Sequence, residues 1–79
     1  MSVTVNPTPE QRVILERIDV PDRLAVVLRL PRFTLGADDA RTLSVALGLE
    51  MARNGFDRAY NATAEGRLIE DLIDQLFIP

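Results

Sequence analysis

Residues 37–54 read ADDARTLSVALGLEMARN, and this segment has the charge pattern of an α-helix at both of its ends. Asp38 and Asp39 would lie in the first turn and Arg53 in the last turn, where their charges complement the helix macrodipole. Gly55 follows at the position where a left-handed C-terminal cap is expected. The segment therefore predicts a long helix from Ala37 to Asn54.

Downstream of this helix, the segment from Thr63 to Phe77 predicts a second helix with one apolar face. Its apolar residues recur at the i, i+1, i+4, i+5 spacing of a single helical face, and its charged residues fall on the opposite side. Gly66 weakens the first turn, so the start of this helix can lie anywhere from Asn61 to Arg67. The apolar face consists of Leu68, Ile69, Leu72, Ile73, Leu76 and Phe77.

Upstream of the long helix, the sequence predicts a β-hairpin over Arg12–Leu30. Residues 13–20 are rich in β-branched side chains, and residues 23–30 carry an apolar residue at every second position. Between them, Val20-Pro21-Asp22-Arg23 has the chemistry of a turn. The alternative is two short helices, since Thr8-Pro9-Glu10-Gln11 has the form of a helix start with a capping box.

Together these segments predict an α+β domain in which a β-hairpin is followed by two α-helices, with a small all-α bundle as the alternative. Residues 1–11 are predicted to be an N-terminal arm, either loose or a short edge strand, and residues 12–79 a single small domain. The predicted core consists of Leu24, Val26, Leu28, Leu30, Leu43, Leu47, Leu72, Ile73 and Leu76.

The length and composition of the chain indicate a globular protein with a small core. Its 79 residues, 47% of them hydrophobic and 27% charged, make one domain near the lower limit for folding without disulfides or metals. Oligomerisation is a common way of stabilising so small a core, so a dimer is expected on this ground alone.

Compartment and origin are also indicated by the sequence. The longest apolar run, Leu24 to Leu28, is too short for a membrane span, and residues 1–11 lack the basic and apolar regions of a signal peptide. There is no cysteine, which is compatible with a reducing compartment, so we expect a cytoplasmic protein. All nine basic residues are arginine, a bias typical of a high-GC genome and therefore of a bacterial or phage origin.

Catalytic chemistry has few candidates in this chain. Without histidine, cysteine or lysine, it lacks the usual neutral-pH base, thiolate nucleophile and Schiff-base amine. The adjacent Asp38 and Asp39 are explained as favourable charges in a first helical turn. The acidic residues opposite the apolar face of the last helix are explained as a solvated surface. We therefore predict no catalytic residue, no metal ligand and no cofactor; the acidic residues of that last helix are Glu70, Asp71 and Asp74.

The long helix carries a line of small side chains between two walls of apolar side chains. The small residues are Ala37, Ser44, Gly48 and Ala52, one wall is Leu43, Leu47 and Met51, and the other is Val45, Leu49 and Phe56. Glycine inside a helix costs about 1 kcal/mol relative to alanine, so Gly48 is best understood if another backbone or a bulky side chain approaches it. That neighbour is either an element of the same chain or the helix of a second copy or other partner. The predicted interface consists of Ser44, Val45, Gly48, Leu49, Ala52 and Phe56.

These features predict a non-catalytic protein–protein interaction module that forms a homodimer and acts as a small regulatory or accessory protein. The expected partner is a second copy of the chain, and another protein is the second candidate. As the alternative, the order of strand Leu24–Leu30, helix Ala37–Asn54 and helix Thr63–Phe77 resembles the ribbon-helix-helix family of repressors and antitoxins. The resemblance implies that Arg23 and Arg29 lie exposed on a paired strand that reads DNA. The net charge of −3 argues against nucleic acid as the partner.

Overall fold

The computed structural model describes residues 2–59 and 61–77. Within these residues the fold is α+β, as the sequence predicts, with one two-stranded antiparallel sheet and four helices. In chain order the elements are β1 (Ser2–Val5), α1 (Pro9–Arg17), α2 (Asp22–Leu28), β2 (Phe33–Gly36), α3 (Ala37–Asn54) and α4 (Ala64–Gln75).

The sheet joins the start of the chain to the segment that precedes α3. Val3 pairs with Leu35 and Val5 pairs with Phe33, and three of these four side chains, all but that of Val3, are buried. An isolated pair of strands is marginally stable in water, so this sheet depends on the helices that cover its apolar face. Of the two forms predicted for the N-terminal arm, the strand is therefore the one observed.

The predicted hairpin over Arg12–Leu30 is wrong, because this region forms the helices α1 and α2. The start of α1 is fixed by the capping box: the Gln11 backbone N–H donates to Thr8 Oγ1 at 3.2 Å, and the Thr8 N–H donates to Gln11 Oε1 at 2.9 Å. These two bonds satisfy donors that a helix start leaves unpaired. The turn predicted at residues 20–23 instead includes the start of α2, in which Pro21 is the N-cap and Asp22 the first helical residue.

Two of the predicted core residues lie outside the core for the same reason. A strand would bury every second residue of this segment, whereas α2 buries Leu24 and Leu28, which are four positions apart. Val26 is 64% exposed and Leu30 is 50% exposed. Of the other predicted core residues, Ile73 is only half-buried and the rest are buried: Leu24, Leu28, Leu43, Leu47, Leu72 and Leu76.

The two C-terminal helices have the predicted positions, but the cap of α3 differs from the prediction. Gly55 has φ −86° and ψ −9°, which is right-handed backbone, because its N–H continues the helical pattern and donates to the Met51 carbonyl at 2.8 Å. The Gly55 carbonyl then accepts the Thr63 N–H at 2.9 Å. Gly66 lies against the same carbonyl group, so the absence of a side chain at Gly66 allows the two helices to approach closely there.

The core lies where α3 contacts α4 and both strands, and where α1 contacts α2 and α4. Its most deeply buried apolar side chains come from both strands and from three of the helices, among them Val5, Leu24, Leu35, Leu43, Leu47, Ile69 and Leu72. Within the described residues, no helix is both long enough and apolar enough to cross a membrane.

Candidate interaction surface

Helix α3 has two faces of different character, and among the residues that the structure describes only one of these faces packs on other parts of the chain. The inner face lies in the core and consists of Ala40, Leu43, Leu47, Glu50 and Met51. The opposite side is exposed and consists of Arg41, Val45, Gly48, Leu49 and Ala52, which we call the outer face.

The outer face is apolar at its centre and open to solvent. Val45 is 61% exposed and Leu49 is 58% exposed, although both lie in the middle of a long helix. A Cβ atom added at Gly48 would meet nothing within 4 Å, so no other part of the described chain approaches this glycine. Exposed solitary apolar side chains are common on proteins, but adjacent ones on a single helical face indicate a contact surface.

Most of the predicted interface residues are brought together on or beside this surface. Ser44 is half-buried at its edge, and Phe56, which is 45% exposed, follows the end of α3. The predicted wall on the other side of the small residues is instead part of the core, because Leu43, Leu47 and Met51 are buried. The exposed members of the prediction are Val45, Gly48, Leu49, Ala52 and Phe56.

A groove lies on each side of the Val45 side chain, and Leu49 lines one of the two grooves. The groove on the α4 side has a volume of about 450 Å³, and Ile73 and Phe77 form its far wall. The groove on the other side has a volume of about 360 Å³, and Asp19 lies at its far wall. Val45 borders both grooves, so the centre of the outer face is a ridge of the kind that packs into the groove of another helix.

Glu50 on the inner face forms an ion pair with Arg17 that the sequence analysis did not identify; the Glu50 side chain is buried, and that of Arg17 is 44% exposed. Arg17 donates to Glu50 Oε1 through Nε at 3.1 Å and Nη2 at 2.9 Å, and it also pairs with Glu65 of α4. Asn54 donates to the same Glu50 oxygen at 2.8 Å. The pKa of Glu50 is lowered from its ordinary value, mainly by the hydrogen bond from Asn54. The hydrogen bond and charge of Arg17 and the charge of Arg53 lower it further, while burial acts in the opposite direction. Glu50 lies seven residues after Leu43, which is the spacing that could have placed it on the buried side.

Two of the acidic residues considered in the sequence analysis, Asp39 and Asp71, accept hydrogen bonds from side chains of other residues. Asp39 accepts a bond from Arg23 at 2.7 Å, and Asp71 accepts bonds from Gln11 at 2.7 Å and Gln75 at 3.2 Å. In residues 2–59 and 61–77, no group of three or more acidic, histidine or cysteine side chains is placed to hold a metal ion. Asp38, which is exposed, remains at the start of α3 as a charge that favours the helix.

The two arginines predicted to read DNA do not lie on a strand. Arg23 belongs to α2 and pairs with Asp39, while Arg29 is the residue at the C-terminal cap of the same helix. The predicted placement of both on a paired ribbon is therefore wrong, because residues 23–28 are helical. The strand that does precede α3, β2, pairs with β1 of the same chain.

Exposed apolar side chains are also found elsewhere: Val13 on α1 is 59% exposed, and Val26 and Leu30 in and after α2 are similarly accessible.

Comparison with protein-family models, with curated proteins and with solved structures gives no match to this chain.

Proposed function

We propose that this chain is a non-catalytic protein–protein interaction module that forms a homodimer through the outer face of α3. The observation that carries the proposal is the exposure of Val45 and Leu49, at 61% and 58%, on either side of an open position at Gly48. In this proposal the partner is a second copy of the same chain.

Folding of the single chain gives no reason for apolar residues at these positions. The buried residues of α3 all lie on its inner face. At an exposed helical site, arginine or glutamate is at least as favourable for the helix as valine or leucine. Removing the exposed part of one such valine or leucine side chain from water is worth roughly 1 to 2 kcal/mol. Two copies would bury four of these side chains, which favours association.

A second copy is also favoured by the size of the domain. A chain of 79 residues forms a small core, and self-association is one of the standard ways in which such chains gain stability. We further propose that the dimer is a cytoplasmic regulatory or accessory protein of a high-GC bacterium or phage, on the basis of the missing cysteine and the exclusive use of arginine. No structural observation favours the DNA-binding alternative, so it is not proposed.

Sedimentation velocity over a concentration series tests the dimer, with two aspartate variants as a matched pair. Val45 and Val13 are both helical valines, with exposures of 61% and 59%, but only Val45 lies on the outer face. We expect the unmodified chain and Val13→Asp to be dimeric at high micromolar concentration, and Val45→Asp to be monomeric. An unmodified chain that stays monomeric overturns the proposal, and so does a Val45→Asp variant that dimerises as well as Val13→Asp.

A further inference from the structure

We propose that the two copies pack with their α3 helices antiparallel, about a two-fold axis that passes between residues 48 and 49. This inference rests on the dimer proposed above and adds its orientation and register. It follows from the order of large, small and charged side chains along the outer face.

The sizes of the side chains complement each other in this register. In an antiparallel pair centred between residues 48 and 49, each residue lies at the same level along the helix axis as the residue of the other copy whose number brings the sum to 97. Val45 of one copy then faces Ala52 of the other, so a large side chain meets a small one on each side of the axis. At the axis, Leu49 meets Leu49 of the second copy on one side, and Gly48 meets Gly48 on the other. The absence of a side chain at Gly48 allows the two backbones to approach.

The charges favour the antiparallel orientation as well. Arg41, which is exposed, would face the segment of Phe56 and Asp57 in the second copy. That segment offers a carboxylate and an aromatic ring, and both attract a guanidinium group. In a parallel dimer Arg41 would face Arg41 instead, and the two helix macrodipoles would be aligned unfavourably.

The area required by a stable dimer extends the contact beyond α3. A helix of 18 residues is about 27 Å long and 10 Å wide, so its outer face covers a strip of roughly 300 Å². A standard interface takes about 800 Å² from each partner. The contact would therefore have to include residues beside the ridge, among them Phe77, which lines the groove on the α4 side and is 74% exposed.

Disulfide cross-linking tests the register, because the chain contains no cysteine that would interfere. Single variants Leu49→Cys, Val45→Cys and Ala52→Cys are oxidised separately, and the last two also as a mixture. With a rise of 1.5 Å per residue, the proposed register separates the two copies of residue 45 by about 10 Å along the helices, and the two copies of residue 49 by about 1.5 Å. Disulfides require Cα atoms within about 7 Å.

We therefore expect Leu49→Cys to cross-link with itself, and Val45→Cys to cross-link only with Ala52→Cys. At a protein concentration of about 100 µM, where the chain is expected to be dimeric, these reactions should be about tenfold faster than for Val13→Cys, because contact gives millimolar effective concentrations. Circular dichroism checks that each variant is folded.

The other outcomes contradict either the antiparallel register or the dimer itself. Self-cross-linking of all three variants at equal rates would show a parallel dimer and overturn the inference. A dimer in sedimentation that cross-links at none of these positions would overturn it too. A monomeric chain in sedimentation would overturn the proposed function itself, so the two failures are distinguishable.

Discussion

Replacing a helical glycine with alanine should change stability in opposite directions at Gly48 and Gly66. Alanine in a helix interior is about 1 kcal/mol more favourable than glycine. At Gly48 a new Cβ would meet nothing within 4 Å, so we expect the full gain in the free energy of unfolding. For a domain of this size, 1 kcal/mol raises the melting temperature by about 4 to 8 °C.

At Gly66 the same change meets the backbone of Gly55. A Cβ there would lie 2.9 Å from the Gly55 carbonyl carbon and 3.0 Å from its Cα, with the carbonyl oxygen nearer still. This backbone cannot move freely, because the Gly55 carbonyl accepts the Thr63 N–H at 2.9 Å. Forcing atoms into a packed site costs about 1 to 3 kcal/mol, which exceeds the gain from alanine in a first helical turn. We expect a net loss of roughly 1 to 2 kcal/mol and a fall in melting temperature of about 4 to 16 °C.

Thermal unfolding followed by circular dichroism measures both variants, at a concentration where sedimentation shows monomers. Working with monomers separates the effect on folding from any effect of Gly48 on association. A Gly48→Ala variant less stable than the unmodified chain would mean that the outer face is covered within the chain. A Gly66→Ala variant at least as stable as the unmodified chain would refute the close approach of α4 to Gly55.

Three further predictions concern the polar contacts. Glu50→Gln should lower the free energy of unfolding by about 1 to 3 kcal/mol at neutral pH, because it removes a charged partner of Arg17 at a buried site. Since the pKa of Glu50 is lowered from 4.5 by folding, its contribution is fully present above that value and is lost as the pH falls through the folded pKa, so in urea titrations Glu50→Gln should show a weaker loss of stability on acidification. Gln11→Ala should cost about 1 to 3 kcal/mol, since Gln11 Oε1 accepts the Thr8 N–H and its Nε2 donates to the Leu68 carbonyl and to Asp71; an unchanged urea midpoint would contradict this. Arg23→Ala should change stability by at most about 0.5 kcal/mol, because the Arg23 side chain is 67% exposed, and a larger loss would show that its pair with Asp39 matters more than surface pairs usually do.

The two C-terminal helices could be predicted from local signals alone. In α3, acidic residues at the start and an arginine at the end agree with the apolar periodicity, and the observed bounds are Ala37–Asn54 as predicted. In α4, Thr63 caps the helix by accepting the Gly66 N–H at 3.0 Å, within the predicted range of starts. Such signals act over a few residues, so a sequence carries them without knowledge of the fold.

The region of α1 and α2 was mispredicted because two local signals conflict there. Alternating apolar residues between Arg23 and Leu30 favour a strand, but a helix of seven residues needs only Leu24 and Leu28 on its buried side. The remaining valines of α2 then fit a helix with an apolar, partly exposed surface. The capping box at Thr8 and Gln11 was the more reliable signal. It predicts specific hydrogen bonds, whereas alternation of apolar residues expresses only a preference for strand.

The sheet and the buried polar contacts could not be predicted, because they depend on residues far apart in sequence. The pairing of Val5 with Phe33 joins segments separated by two helices. Glu50 is held by Arg17, and Gln11 by the Leu68 carbonyl and Asp71, and each contact exists only once the helices are packed. The candidate surface was predictable because all of its central residues belong to one helix.

Only the side of α3 that faces the core contributes to folding, so the apolar residues on its other side need a separate explanation. The inner stripe at Leu43, Leu47 and Met51 follows the helical repeat and fully occupies the side that contacts α4 and the sheet. The outer stripe at Val45 and Leu49 follows the same repeat on the other side, where the chain has no element to place against it among the residues described. Two stripes on one helix favour two separate packing partners, and folding supplies the first. We propose that the second is another copy of the same helix, because the outer stripe is nearly symmetric about residues 48 and 49.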